Sequence, residues 1–213
     1  MHIEPGFVSA AKIAVANVAA VSLLGSHATA LVRQPQLVVR TLLAAVFFSL
    51  FMESFFLPAG PSELHFVGAM PMYLVLGFVP TLLGFGIGLL LQGVLFEPAD
   101  LVHLGVNTLS LAIPLIVLHH TVGKRLGELR VRNILKLDAM YYGGVTLMVG
   151  FWLAIGEIAT PLADWATFAT AYVPLVLVEP IITLVLVKAL LPFADTPALR
   201  LCTALRAPTA TGA

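Results

Sequence analysis

Thr81-Leu82-Leu83-Gly84-Phe85-Gly86-Ile87-Gly88-Leu89-Leu90-Leu91-Gln92-Gly93-Val94-Leu95-Phe96 is the stretch that decides the fold. Its Gly84-Phe85-Gly86-Ile87-Gly88 run invites comparison with a phosphate-binding loop. Such loops join a strand to a helix, whereas this run is enclosed in an uncharged, apolar segment of spanning length. Its solvent is therefore lipid, and its glycines are packing residues. Gly84 with Gly88, like Ala10 with Ala14 and Ala16 with Ala20 earlier in the chain, has the four-residue spacing that lets helix backbones approach closely in a bilayer. Packing inside the bundle is the ordinary use of that spacing, and docking of another membrane subunit is the sharper one.

The rest of the chain has the same character. Of 213 residues, 60% are hydrophobic and only 10% charged, with a mean hydropathy of +1.02. Soluble domains carry about 25% charged residues, so much of this surface must face lipid. A spanning helix needs about 20 apolar residues, and seven segments qualify or come close. They are Val8 to Leu31, Thr41 to Leu57, Phe66 to Val79, Thr81 to Phe96, Leu101 to Val122, Asp138 to Ile158 and Trp165 to Leu191. The expectation is an all-α, polytopic membrane helix bundle of about seven transmembrane helices. Residues 1–192 form a single transmembrane domain, and 193–213 a disordered cytoplasmic tail. The first apolar segment has no basic leader and runs on at spanning length, so no cleaved signal peptide is expected.

Charge sets the orientation. Arg33 and Arg40 flank one connection; Lys124, Arg125, Arg130, Arg132 and Lys136 fill another; Lys188, Arg200 and Arg206 lie near the C-terminus. Only Lys12 falls elsewhere. Basic loops stay in the cytoplasm, which puts the N-terminus outside and the C-terminus inside. The connections at 58–65 and 97–100 then share the outer face with Met1 and His2.

That face carries the chemistry. Met1-His2 offers three nitrogens in chelating sequence: the α-amine of Met1, the His2 amide and the His2 imidazole. Such donors suit nickel, copper and cobalt, and leave a fourth planar corner open. Binding displaces protons, so affinity should rise with pH. The bulky His2 favours retention of Met1. Any protein can carry histidine second, and taken alone the motif would mean nothing. His65, in Ser62-Glu63-Leu64-His65, shares the outer face and supplies the missing corner. Ser62, Glu63 and Asn107 can orient the ligands, as oxygen acceptors commonly do for metal-bound imidazoles. His103 is a weaker candidate ligand, with an interfacial role the plainer reading. His27, His119 and His120 fall at the basic, inner end. Glu53 and Glu179 are carboxylates within spans, where ionisable groups are functional or paired.

Absences narrow the class. No Gly-Lys-Ser/Thr phosphate loop, His-Glu-x-x-His zinc motif or Gly-x-Ser-x-Gly elbow is present. No basic patch outside the inner loops suggests nucleic acid. Cys202 is alone, so neither an internal disulfide nor a cysteine-pair metal motif can form.

Met1-His2-Ile3-x-x-Gly6, Ser62-x-x-His65-x-x-Gly68, Leu91-Gln92-Gly93-Val94-Leu95-Phe96 with Leu104-Gly105-Val106-Asn107, and Pro174-Leu175-x-Leu177-x-Glu179-x-x-Ile182-Thr183 together resemble the CbiM/NikM family. These are substrate-binding membrane subunits of cobalt and nickel energy-coupling-factor transporters of the bacterial inner membrane. The resemblance implies a divalent transition metal, cobalt or nickel, as transported substrate, held by the Met1 amine, the amide and imidazole of His2, and His65. It also implies a coupling transmembrane subunit and a pair of ATPase subunits as partners, sometimes with a small auxiliary membrane subunit. The chain itself would not be an enzyme, because ATP hydrolysis belongs to those partners. Glu97-Pro98-Ala99-Asp100 departs from the usual Gly-rich loop, and Phe66-Val67 from the usual Pro-Thr. The competing class is a scaffold membrane protein in which His2 and His65 coincide by chance.

Overall fold

The computed structural model describes residues 2–3, 6–54, 56–59, 62–125 and 129–206. Helices dominate. In chain order they are α1 (Ala10–Arg33), α2 (Gln36–Ser54), α3 (Ala69–Leu76), α4 (Phe78–Leu95), α5 (Leu104–Thr121), α6 (Val131–Ala154), α7 (Leu162–Ala171), α8 (Val173–Leu190) and α9 (Pro197–Cys202). Among the described residues, five segments are long and apolar enough to cross a membrane: Ala10–Arg33, Gln36–Ser54, Phe78–Leu95, Pro98–Thr121 and Leu162–Phe193. α6 matches α1 in length, at 24 residues each.

The segment Phe66 to Val79 departs from the expected span. Its own helix, α3, has only eight residues, rising about 12 Å, far short of a bilayer, and Phe78 and Val79 already belong to α4. Gly68 at φ 62° and Gly77 at φ 96° bracket the helix. Both lie in the left-handed region that only glycine adopts freely, and each stops helical hydrogen bonding on its side. The expected last helix is likewise broken, at Tyr172 between α7 and α8, where Pro174 brings no amide proton.

The connection expected to be an irregular loop is instead a small antiparallel sheet. β1 (His2–Ile3), β2 (Phe56–Ala59) and β3 (Ser62–His65) are ordered β1-β3-β2. Gly60-Pro61 lies between the two paired strands, a dipeptide that commonly reverses a chain.

The helices pack as the sequence spacing requires. α2 and α4 make the most extensive contact in the bundle. A Cβ on Gly84 would meet Ala44 Cβ at 2.5 Å, and one on Gly88 would meet Phe48 at 2.6 Å, so these glycines are needed for the close approach. Phe48, Met52, Phe85, Leu111, Tyr141 and Tyr142 are fully buried at the centre. Val15, Val18, Val21, Leu147 and Leu177 are exposed on the outer wall of the bundle, the distribution expected when lipid is the solvent.

Residues 193–206 are not the irregular tail expected. α9 is held by Arg40, 5% exposed, whose Nε and Nη2 donate to the carbonyls of Leu201 (3.0 Å) and Arg200 (2.7 Å). Ala204 N–H donates to the Val75 carbonyl, and Leu205 is buried. The tail thereby satisfies backbone groups at the end of α3. Residues 207–213 lie outside the described residues.

Candidate functional site

β3 is the centre of the site. On one side His2 stands opposite Glu63 and Ile3 opposite Ser62. On the other, Phe56 stands opposite His65 and Pro58 opposite Glu63. His2 and His65 are therefore diagonal neighbours on adjacent strands, a relation that spans about 7–8 Å. Met1 lies outside the described residues, as does the side chain of His2, so the N-terminal chelate is located only by its backbone register.

His65 is buried, at 4% exposure. Its Nδ1 is 3.0 Å from the Met52 carbonyl at the end of α2. A carbonyl only accepts, so Nδ1 carries the proton, and Nε2 holds the lone pair of the neutral ring. Nε2 lies 3.2 Å from Glu63 Oε2. Protonated, the ring forms an ion pair with Glu63; a metal on Nε2 would take that proton's place. Glu63 is about a third exposed on its side chain.

Ser62, His103 and Asn107 are all buried. His103 closes the 3-10 segment Pro98–His103, and Asn107 lies in the first turn of α5. β1 packs against both elements. His103 is thus an interior residue beside the N-terminal strand and not, as its sequence position suggested, an interfacial one. Among the described residues no three His, Cys, Asp or Glu side chains gather in metal-holding geometry.

Other polar residues support this end of the molecule. Asn17 Oδ1 accepts from the Gly105 amide at 2.8 Å, tying α1 to α5. Lys12 Nζ reaches the Ile155 carbonyl (2.6 Å) and Glu157 (2.7 Å), and the Glu157 amide donates to the Phe7 carbonyl. Glu157 is held below its ordinary range, first by the hydrogen bond from Lys12 and then by that from Ser9. Asn17 carried no sequence signal beyond being a polar residue in a span. Glu53 accepts from Gln92 Nε2 at 3.2 Å.

The histidines at the basic end have different surroundings. His119 stacks on Phe78 with ring centroids 3.9 Å apart and its Nδ1 meets Tyr73 Oη at 2.8 Å. His27 packs edge-on against the same Phe78. The structure does not bring these residues to the sheet.

A family model described as "cobalt uptake substrate-specific transmembrane region" matches residues 2–196. A solved structure titled as a crystal structure of a transition metal transporter superposes with a TM-score of 0.68 at 19% identity, covering 93% of this chain and 96% of that one. At that identity the likeness is one of fold. No curated protein matches the chain.

Proposed function

The chain belongs to the CbiM family of cobalt uptake substrate-specific transmembrane regions, and from that premise we propose that it captures a divalent transition metal, cobalt or nickel, at the sheet-bearing end. It acts as the binding subunit of an energy-coupling-factor importer in the bacterial inner membrane, with the N-terminus outward. A coupling membrane subunit and paired ATPases on other chains supply the motion. The ligands are the Met1 amine, the amide and imidazole of His2, and His65 Nε2, with Ser62, Glu63 and Asn107 around them and His103 adjacent.

The observation that carries this reading is the strand register, which ties the backbone of the chelating terminus to the strand of His65. Two further features support it. The His65–Met52 bond fixes the tautomer that leaves Nε2 able to coordinate. Glu53, Glu63, Glu97, Asp100, Glu157 and Asp164 all belong to this end of the helices, where Lys12 is the sole lysine or arginine among the described residues. A field of that sign concentrates cations at the mouth of the site.

The test is a nickel and cobalt titration of untagged protein, with intact mass establishing that Met1 is the first residue. One metal per chain is expected. An alanine inserted between Met1 and His2 should weaken binding by at least about tenfold, a loss of about 1.4 kcal/mol, because it enlarges the chelate. His65→Ala should do the same, whereas His119→Ala should not. A scaffold protein would be indifferent to all three changes. Undiminished affinity in both the insertion and His65→Ala proteins would defeat the site as drawn.

A further inference from the structure

Asp138 on α6 and Glu179 on α8 are both completely buried inside the bundle. Glu179 Oε1 accepts from the Met70 amide at 2.9 Å, and Oε2 accepts from the Tyr142 hydroxyl. Asp138 faces Glu179 closely enough for the two carboxyl groups to share a proton, and no described N–H or other O–H donor reaches either Asp138 oxygen. Tyr141 Oη and Thr183 Oγ1 are likewise buried and without a hydrogen bond. Asp138, Tyr141 and Tyr142 fall at i, i+3 and i+4 on α6, and Glu179 and Thr183 at i and i+4 on α8, so each helix gives one polar stripe to the contact between them. Among the described residues no Lys, Arg or His pairs with either carboxylate. Two carboxyl groups in a membrane interior without a basic partner are costly. Four oxygen atoms with unused bonding capacity make the arrangement costlier still.

We propose that this cluster is a second, all-oxygen station for a divalent cation on its way through the bundle; the proposal rests on the transport reading above. Two carboxylates balance one doubly charged ion, and Asp138, Glu179, Tyr141 and Thr183 supply the oxygen ligands. Oxygen donors accept manganese(II) readily and hold cobalt or nickel less tightly than nitrogen donors do. A weaker inner station is what an ion needs if it is to leave a tight outer site without being trapped. The position supports the same role. Glu179 holds the first turn of α3, which follows β3 and His65 after three intervening residues.

Manganese(II) separates the two sites, because it favours oxygen over the nitrogen set at the sheet. The purified full-length chain is titrated with manganese(II) and followed by its paramagnetic resonance signal, alongside Asp138→Asn, Glu179→Gln, Glu179→Asp and His65→Ala. Wild type and His65→Ala should both bind one manganese ion. Asp138→Asn and Glu179→Gln should lose at least about tenfold in manganese affinity, and Glu179→Asp, which keeps the carboxylate, should lose less. A nickel titration of the two amide variants shows that the fold and the outer site persist. Manganese binding unaltered in both amide variants, or absent from wild type, would overturn the station and leave a hydrated interior. Nickel binding unaltered in His65→Ala would instead overturn the outer site while leaving the manganese result intact.

Discussion

Gly105→Ala tests how tightly the terminus is positioned. Gly105 lies in the first turn of α5 where α1 crosses it. A Cβ built there would fall 2.4 Å from Asn17 Oδ1 and 2.6 Å from both Asn17 Cα and Asn17 N. Two of those are backbone atoms that no rotamer change can move, so α1 and α5 must separate. Forcing a carbon into a packed contact costs about 1–3 kcal/mol. Lengthening the 2.8 Å Gly105–Asn17 hydrogen bond adds about 0.5–1.5 kcal/mol. The sum, about 1.5–4.5 kcal/mol, is a large share of the usual ~5–15 kcal/mol of stability. At about 2–4 °C per kcal/mol for a chain of this size, melting should fall by about 3–18 °C. Because β1 leads into α1, nickel affinity should fall with it. Gly25→Ala and Gly143→Ala are the controls, since nothing lies within 4 Å of a Cβ at either position. Each should match or exceed the wild type, in keeping with alanine's higher helix propensity. Differential scanning fluorimetry in detergent and a nickel titration read both effects. A Gly105→Ala protein that melts and binds with the wild type would refute the claim that the α1–α5 contact sets the terminus.

Arg40→Met keeps the aliphatic volume of the buried arginine but removes both donors to α9. Leaving those carbonyls unsatisfied costs about 1–3 kcal/mol, so trypsin should cut after Arg200 and Arg206 faster than in the wild type. Equal cleavage would mean that Ala204 and Leu205 hold the segment unaided. Glu157 provides a pH-dependent tie. Its folded-state affinity for protons is lowered by Lys12, so its contribution is present at neutral pH and fades as pH falls through and below the ordinary carboxylate range. Tryptophan fluorescence, to which Trp152 beside Val8 contributes, should report an acid-side transition in the wild type that is absent from Lys12→Met; an identical transition in the variant would assign it to another group.

The long helices were legible because lipid demands apolar length, and length survives in a one-dimensional reading. Their ends were less so. The basic run before Asp138 resembles a loop, so the sequence predicts Asp138 as the first residue of its helix. α6 instead begins at Val131 and carries Arg132 and Lys136 on its own first turns, which moves Asp138 two turns inward. The sheet was missed although Gly60-Pro61 between two short runs is a hairpin signal; the runs are only four residues long, and membrane composition argued against strands. His2 and His65 were placed on one face by charge alone, whereas their adjacency on neighbouring strands depends on backbone pairing that hydropathy does not encode. Tyr142, Met70 and Glu179 meet across three elements far apart in sequence, and only Glu179 stood out, as a charge in a span.

The eight residues of α3 leave the molecule uneven in construction. Its wall is made mostly of long helices, α7 and α8 being joined at a break, but the column behind His65 is assembled from three short lengths set end to end: the sheet, α3, and the returning segment around Ala204. Each joint in that column is one glycine and a few hydrogen bonds, Gly68 with the Glu179–Met70 contact above and Gly77 with the Ala204–Val75 contact below. A stack of this kind yields at its joints before it bends. Any displacement of α3 would therefore cost these few contacts and leave the long helix–helix packing of the wall in place.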